Sequence, residues 1–264
     1  MNHQHQSVGD RTYVRVGAGS AVLGVVAALV QTALDPSYSD DPTKAIQQAS
    51  LSHFLTLSRI LDMTSFLLLL VGVVAITKVL SAGRGASWAR VAGTLFTVSA
   101  ASGAIATMIV GSLPDVARSW AEANPALKPG YIAVYDALGD VSGGVFAVSW
   151  ASLGVFGIVF SVALSRDDDF PRALTWISAA SGVALAGAVA AGVGFQMSTA
   201  FALLLLGLLL SYVVLVASSV RIWVLAARSD SKTPMVADPV VMGRLREADP
   251  DRSDRWGNGP PAGS

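Results

Sequence analysis

Residues 198–227 read STAFALLLLGLLLSYVVLVASSVRIWVLAA, and this stretch decides the fold. The 23 residues from Ser198 to Val220 carry no charge and are mostly apolar. A hydrocarbon core of about 30 Å is crossed by a helix of about 20 such residues, in which every backbone polar group is hydrogen-bonded within the helix. The stretch therefore predicts a transmembrane helix.

Five further stretches have the same character, and the six together predict an all-α membrane protein, a bundle of six transmembrane helices. Only 14% of the 264 residues are charged and the mean hydropathy is +0.57, whereas a soluble domain carries about 25% charged residues. The fourth stretch is longer than a bilayer requires, so its first turns, through Asp140, are expected to stand outside the hydrocarbon or to tilt. The predicted spans are Val14–Leu34, Leu55–Leu80, Trp88–Ser112, Val134–Leu164, Arg172–Phe195 and Ser198–Ala227.

The distribution of basic residues predicts the orientation. With alternating spans, 14 Lys and Arg residues fall on one side, and the other side carries only Lys44, Arg118 and Lys128. Basic residues are enriched in cytoplasmic loops, and the excess of Arg over Lys indicates a GC-rich bacterial genome. We therefore expect a multi-pass protein of the bacterial cytoplasmic (inner) membrane with both termini in the cytoplasm.

Three segments are expected along the chain. They are a cytoplasmic N-terminal tail over 1–12, the transmembrane domain over 13–228 and a cytoplasmic tail over 229–264. The last is too polar to fold and is predicted to be disordered. A cleaved signal peptide is the alternative for the first span, and it is disfavoured because the apolar run exceeds the usual 7–15 residues.

An internal repeat is suggested by the helix starts. Each odd-numbered span opens with an arginine, at Arg15, Arg90 and Arg172, and the sequence Ser-Ala-Ala-Ser-Gly occurs at both 99–103 and 178–182. This pattern favours three tandem two-helix hairpins. Chance similarity in a chain rich in Ala, Gly and Ser is the alternative.

Small residues recur four apart on the odd-numbered spans, which allows close helix packing in a membrane. We expect these spans to pack centrally and the Leu203–Leu210 segment of the sixth span to face lipid. The pairs are Gly17/Ala21, Ser99/Gly103, Ser178/Gly182 and Ala188/Gly192.

The two long outer loops, Asp35–Phe54 and Leu113–Ala133, are long enough for short amphipathic helices. Asp41 and Pro42 form a typical N-cap and first-position pair for one of them. Aromatic residues at headgroup depth, such as Trp120, need no ligand to explain them.

Four ionisable residues near the outer ends of the second and fourth spans form the candidate polar site, because charge within a membrane span is costly. Arg59 and Asp62 share a helix face, as do Asp136 and Asp140. One interpretation is an outward-facing pocket that holds a cation, a proton or a polar solute. The other is a set of interfacial charges, with Arg59 neutralised by Asp62 or Asp140, and depth near the interface favours this second interpretation.

Most catalytic and cofactor chemistry is disfavoured. The chain has no cysteine and three histidines, of which only His53 lies near a span, so thiol catalysis, metal ligation and Ser-His-Asp catalysis lack their residues. Asp35, Asp40 and Asp41 could coordinate a calcium ion, but they follow no regular loop spacing. The three consecutive acids Asp167–Asp169 cannot all face one ligand and are expected to form a solvated turn. We expect no enzyme activity, no cofactor, no metal and no nucleic-acid partner.

The chain opens its first span with an arginine, continues through a polar outer loop, and then runs Leu57-Ser-Arg59-Ile-Leu-Asp62 into a long apolar helix. This arrangement resembles uncharacterised prokaryotic six-helix membrane families of unknown function. The resemblance covers about the first half of the chain and implies a membrane location. Two functional classes stay open. One is a non-catalytic accessory or regulatory protein that contacts the lipid bilayer and docks a protein through its cytoplasmic tail. The other is a small transporter or channel-like protein that uses the candidate polar site.

Overall fold

The computed structural model describes residues 8–34, 41–52, 54–194 and 197–231. Contacts divide the chain into two units, Met1–Ala226 and Ala227–Ser264, and the predicted tail beyond Ser231 lies outside the described residues. The described part contains no strand. It forms eight helices, α1 (Val8–Leu34), α2 (Pro42–Leu51), α3 (Leu55–Leu80), α4 (Ala86–Gly111), α5 (Leu113–Glu122), α6 (Lys128–Ser165), α7 (Arg172–Gly194) and α8 (Met197–Ser231).

Six of these helices, α1, α3, α4, α6, α7 and α8, are long and apolar enough to cross a membrane. The predicted six-helix transmembrane fold is therefore confirmed, and the chain is a multi-pass membrane protein. Two helices begin six residues before the predicted spans, α1 at Val8 and α6 at Lys128. The residues from Val8 onward of the predicted N-terminal tail are therefore helical. A spanning helix can continue beyond the hydrocarbon, because its backbone hydrogen bonds do not depend on lipid.

The two remaining helices, α2 and α5, are the short helices predicted in the outer loops. Asp41 caps α2, since its Oδ1 accepts a hydrogen bond of 2.9 Å from the Thr43 amide. The apolar sides of α2 and α5 pack together over the start of α6, around the fully buried Ile46 and Ala117. We call this end of the bundle the capped end.

The spanning helices are antiparallel to their chain neighbours. The order of contact is α1, α3, α4, α6 and α7, and α8 contacts α7, where Ser181 Oγ donates a 3.0 Å hydrogen bond to Gly207 O. The first hairpin, α1 with α3, and the second, α4 with α6, are closely packed. The chain thus folds into three consecutive hairpins.

Glycine residues set the distances between these helices. Gly72 on α3 lies against Ala21 on α1, and Gly103 on α4 lies against the ring of Phe66 on α3. A Cβ atom placed on Gly182 of α7 would lie only 2.5 Å from Gly154 O on α6. The predicted role of small residues in helix packing is confirmed at these contacts.

The apolar core includes residues of α3, α4 and α6. Within it Phe96 packs edge-on against Phe156, which stacks on Phe160, with ring centroids 5.1 Å apart at each step. The core also includes Val14 and Ala18 of α1 and Leu215 of α8, so the expectation that the odd-numbered spans pack centrally stays a prediction. Glycine permits close approach to one neighbour and does not place a helix in the centre. The sixth span does face outward, with Leu206 and Leu209 half exposed.

The two Ser-Ala-Ala-Ser-Gly copies are used differently. Gly103 and Gly182 both face the preceding even-numbered span. The first serines diverge, because Ser99 bonds forward to Ser149 on α6, whereas Ser178 donates back to Gly157 O on α6 at 2.8 Å. That the hairpins are sequence repeats stays a prediction.

The opposite end of the bundle gathers the basic residues, and we call it the basic end. Lys78 lies over the Tyr13 ring, 4.8 Å from its centroid. Arg221 Nε donates a 2.6 Å hydrogen bond to Asp169 O in the α6–α7 loop. Because the spans alternate, the ends of α3, α6 and α8 and the starts of α1, α4 and α7 meet here. Pro171 directly precedes Arg172, the first residue of α7.

Candidate functional site

The depth of each candidate residue follows from its distance along its helix. Asp62 is 16 residues and Arg59 is 19 residues from Lys78 at the basic end of α3. At about 1.5 Å per residue these distances are about 24 and 28 Å. Measured from Lys78, Asp62 thus falls inside a hydrocarbon core of about 30 Å and Arg59 falls near its far border.

Asp62 is held by a residue that the sequence reasoning missed. Its Oδ2 accepts a hydrogen bond of 2.6 Å from Thr107 Oγ1 on α4, and Thr107 is only 2% exposed. A hydroxyl bonded to a carboxylate is a strong, charge-assisted hydrogen bond. Thr107 is 17 residues from Arg90, about 26 Å along α4, and this match in depth to Asp62 was readable from the sequence.

Two tyrosines complete the polar group. Arg59 interacts electrostatically with the phenol of Tyr135 on α6, and Asp62 with the phenol of Tyr212 on α8. The hydrogen bond joins α3 to α4, and the tyrosines on α6 and α8 lie within electrostatic range of Arg59 and Asp62. We call these residues the Asp62 cluster. Its members are Arg59, Asp62, Thr107, Tyr135 and Tyr212.

The structure does not bring Asp136 and Asp140 to this cluster. Both carboxylate residues are exposed on α6, while Tyr135 and Ser142 occupy the buried side of the same helix segment. No contact within the described residues joins Asp140 to Arg59. Asp140 is 25 residues from Ser165, about 38 Å along the helix and thus beyond the hydrocarbon. The interpretation of these two acids as solvated, interfacial charges therefore fits their positions.

The exposed side of α6 has a second unusual property. A Cβ atom placed on Gly139, Gly143 or Gly144 would meet nothing within 4 Å. Together with the two acids these glycines form what we call the open face of α6. Its residues are Asp136, Gly139, Asp140, Gly143 and Gly144.

The capped end adds charges at the same level. Asp115 and Arg118 form an exposed ion pair at 3.4 Å on α5, and Lys128 lies over the Trp120 ring, 4.5 Å from its centroid. Exposed pairs of this kind contribute little to stability. They make the capped end polar.

Possible metal-ligating side chains lie apart in the described structure. Among the residues that the structure describes, no three His, Asp or Glu side chains lie close enough together to hold a metal ion. Comparison with protein-family models, with curated proteins and with solved structures finds no match to this chain.

Proposed function

We propose that the chain is a non-catalytic accessory or regulatory protein that binds another membrane protein along the open face of α6. It resides in a bacterial cytoplasmic membrane with the basic end and both termini in the cytoplasm, as the distribution of Lys and Arg indicates. The observation that carries this proposal is the contrast between the glycines of the open face and those elsewhere in the spans.

Glycine elsewhere in these helices usually marks a tight contact. Gly72, Gly103, Gly157, Gly182 and Gly207 would each place a Cβ within about 3 Å of a neighbouring helix. Gly139 and Gly143 are spaced as in the Gly-x-x-x-Gly pattern of helix pairs, yet no helix of the described chain covers them. A partner helix would complete the same kind of contact.

The acids indicate the chemistry of that partner. Asp136 and Asp140 project from the open face at the level of the headgroups. A partner with a lysine, an arginine or a hydroxyl at this level would gain a charge-assisted hydrogen bond on docking. A second copy of the chain packed in parallel would instead bring Asp140 close to its own counterpart, and like charges repel.

Site-specific photo-crosslinking in the native membrane tests the proposal. A photoreactive amino acid at position 140 or 143 is expected to give one protein adduct of defined mass. The control is Met108 on α4, which is 67% exposed. Gly143→Leu should abolish the adduct from position 140, because the side chain occupies the contact surface. The proposal would be refuted if positions 108 and 143 gave equal adducts, if only lipid adducts formed, or if the adduct were a homodimer.

A small transporter or channel-like protein is the second candidate, and the Asp62 cluster favours it. An ionisable residue within the hydrocarbon is a functional hypothesis in its own right. If Asp62 carries protons or cations, proteoliposomes should show ion flux, measured with an internal pH dye, that Asp62→Asn removes. The matched control is Asp140→Asn, which lies beyond the hydrocarbon and should leave such flux unchanged.

A further inference from the structure

A shallow groove runs between the first turns of α7 and the last turns of α8, on the lipid-facing side of the basic end. Its volume is about 440 Å³. The lining is apolar apart from a single arginine, Arg221. The apolar side chains are Pro171 just before α7, Ala173 and Leu174 on α7, and Ala217, Val220 and Val224 on α8.

Arg221 is fixed at the mouth of this groove. Its Nε donates to Asp169 O at 2.6 Å, which orients the planar guanidinium. Within the described residues, no other hydrogen bond or ion pair involves this side chain, so the two Nη groups remain as donors. A guanidinium of this geometry suits the oxygens of a phosphate.

The start of α7 adds positive potential beside Arg221. The Leu174 amide bonds to Pro171 O, whereas the first amides of a helix have no acceptor within it and point outward. The helix dipole favours an anion at this position. Arg172, the first residue of α7, is exposed and contributes a second full charge.

Two tryptophans place the mouth at headgroup depth. Trp176 on α7 is 75% exposed and Trp223 on α8 is 48% exposed, and exposed tryptophans on membrane helices collect at the interface. The groove therefore runs from the headgroup level at Arg221 toward the hydrocarbon at Ala217, about 6 Å further along α8.

We propose that this groove binds one anionic phospholipid of the bilayer. The lipid phosphate lies at Arg221 and the start of α7, and one acyl chain lies along the groove. Basic sites between helices at the cytoplasmic side of membrane proteins recognise acidic headgroups in this way. A free phosphate would use only the mouth and leave the apolar lining empty, so the lining selects a lipid.

The three acids of the neighbouring loop act against this binding and sharpen the test. Asp167 is turned toward the other basic-end loop, because a Cβ on Gly83 would lie 3.2 Å from its Oδ2. Asp168 and Asp169 are exposed and reduce the positive potential. Asp168→Asn removes one of these negative charges and should therefore increase the preference for an anionic lipid. A variant that had merely lost its fold would show no such increase.

Native mass spectrometry of the full chain in mixed phosphatidylglycerol and phosphatidylcholine measures lipid retention directly. The wild type is expected to retain one phosphatidylglycerol in preference to phosphatidylcholine. Arg221→Gln should lower that preference about fivefold, which corresponds to about 1 kcal/mol for one basic residue at an anionic surface. Arg90→Gln, an exposed arginine of the same end on α4, is the matched control and should leave the preference unchanged.

A second variant separates lipid binding from the structural role of the Arg221–Asp169 hydrogen bond. Val220→Trp fills the groove at a residue that is already 54% exposed and leaves Arg221 in place. It should also abolish selective retention, and glycerol phosphate, which lacks acyl chains, should fail to compete. The proposal would be overturned if the wild type showed no preference for phosphatidylglycerol, or if that preference were unchanged in Arg221→Gln or Val220→Trp. Competition by glycerol phosphate would also overturn it.

Discussion

Gly182 on α7 allows the sharpest test of how this bundle is held together. An added Cβ would lie 2.5 Å from Gly154 O and 2.7 Å from Ile158 N, so both obstacles are backbone atoms of α6. Backbone cannot move aside as the end of a flexible side chain can. Gly182→Ala must therefore push α6 and α7 apart.

The magnitude follows from two opposing effects. Overpacking a tight interior costs about 1–3 kcal/mol. Replacing glycine by alanine within a helix stabilises that helix by about 0.5–1 kcal/mol. We therefore expect Gly182→Ala to lower the free energy of unfolding by about 1 kcal/mol, the difference between the midpoints of these two ranges.

Gly187, five residues further along α7, is the matched control. Its added Cβ would meet only Leu203 Cδ1 at 3.7 Å, which is an ordinary contact. Gly187→Ala should be neutral or stabilise the protein by up to about 1 kcal/mol. Reversible unfolding of both purified variants in the same detergent measures the difference. Equal stabilities for the two variants, or a less stable Gly187→Ala, would refute the reasoning from backbone distance.

Three further predictions concern the Asp62 cluster, the orientation and the tail. A double-mutant cycle of Asp62→Ala and Thr107→Val should give a coupling energy of about 1–2 kcal/mol, since an average interhelical hydrogen bond in a membrane gives about 0.6 kcal/mol and a charge-assisted one about twice that. Thr107→Ser should retain the hydrogen bond, and a coupling energy near zero would contradict the pairing. Single cysteines at 84 and 168 should resist an impermeant reagent added outside, whereas those at the exposed positions 47 and 119 should react. The reverse pattern would invert the topology. Truncation after Arg228 should leave thermal stability nearly unchanged, and a large loss would show that the tail packs on the bundle.

The spans and the capped end could be predicted because their causes are local. An uncharged run such as Ser198–Val220 has no stable alternative to a helix in lipid. Asp41 followed by Pro42 predicts a helix start from two adjacent residues, and the hydrogen bond to Thr43 confirms it. Neither inference requires knowledge of which helix lies beside which.

The candidate site could be predicted only in part, because its assembly depends on which side of each helix faces the bundle. On α6, adjacent residues point about 100° apart, so Tyr135 enters the bundle while Asp136 stays outside. Periodicity does not fix this direction in a span that is apolar all round. The partners of Asp62 come from α4 and α8, and the sequence does not specify that these two helices meet α3.

The buried hydroxyl groups of the bundle, which at first sight favour a polar pathway, instead support packing. Ser178 donates to Gly157 O at 2.8 Å, and Ser181 donates to Gly207 O at 3.0 Å. Each bond joins a serine to the backbone of a neighbouring helix at a glycine, where the missing side chain lets the two helices approach. A hydroxyl that already bonds a carbonyl has less capacity to coordinate a passing solute. The Asp62 cluster is set apart from these contacts by its charge, and for this reason ion flux through Asp62 is the measurement that decides between a transporter and an accessory protein.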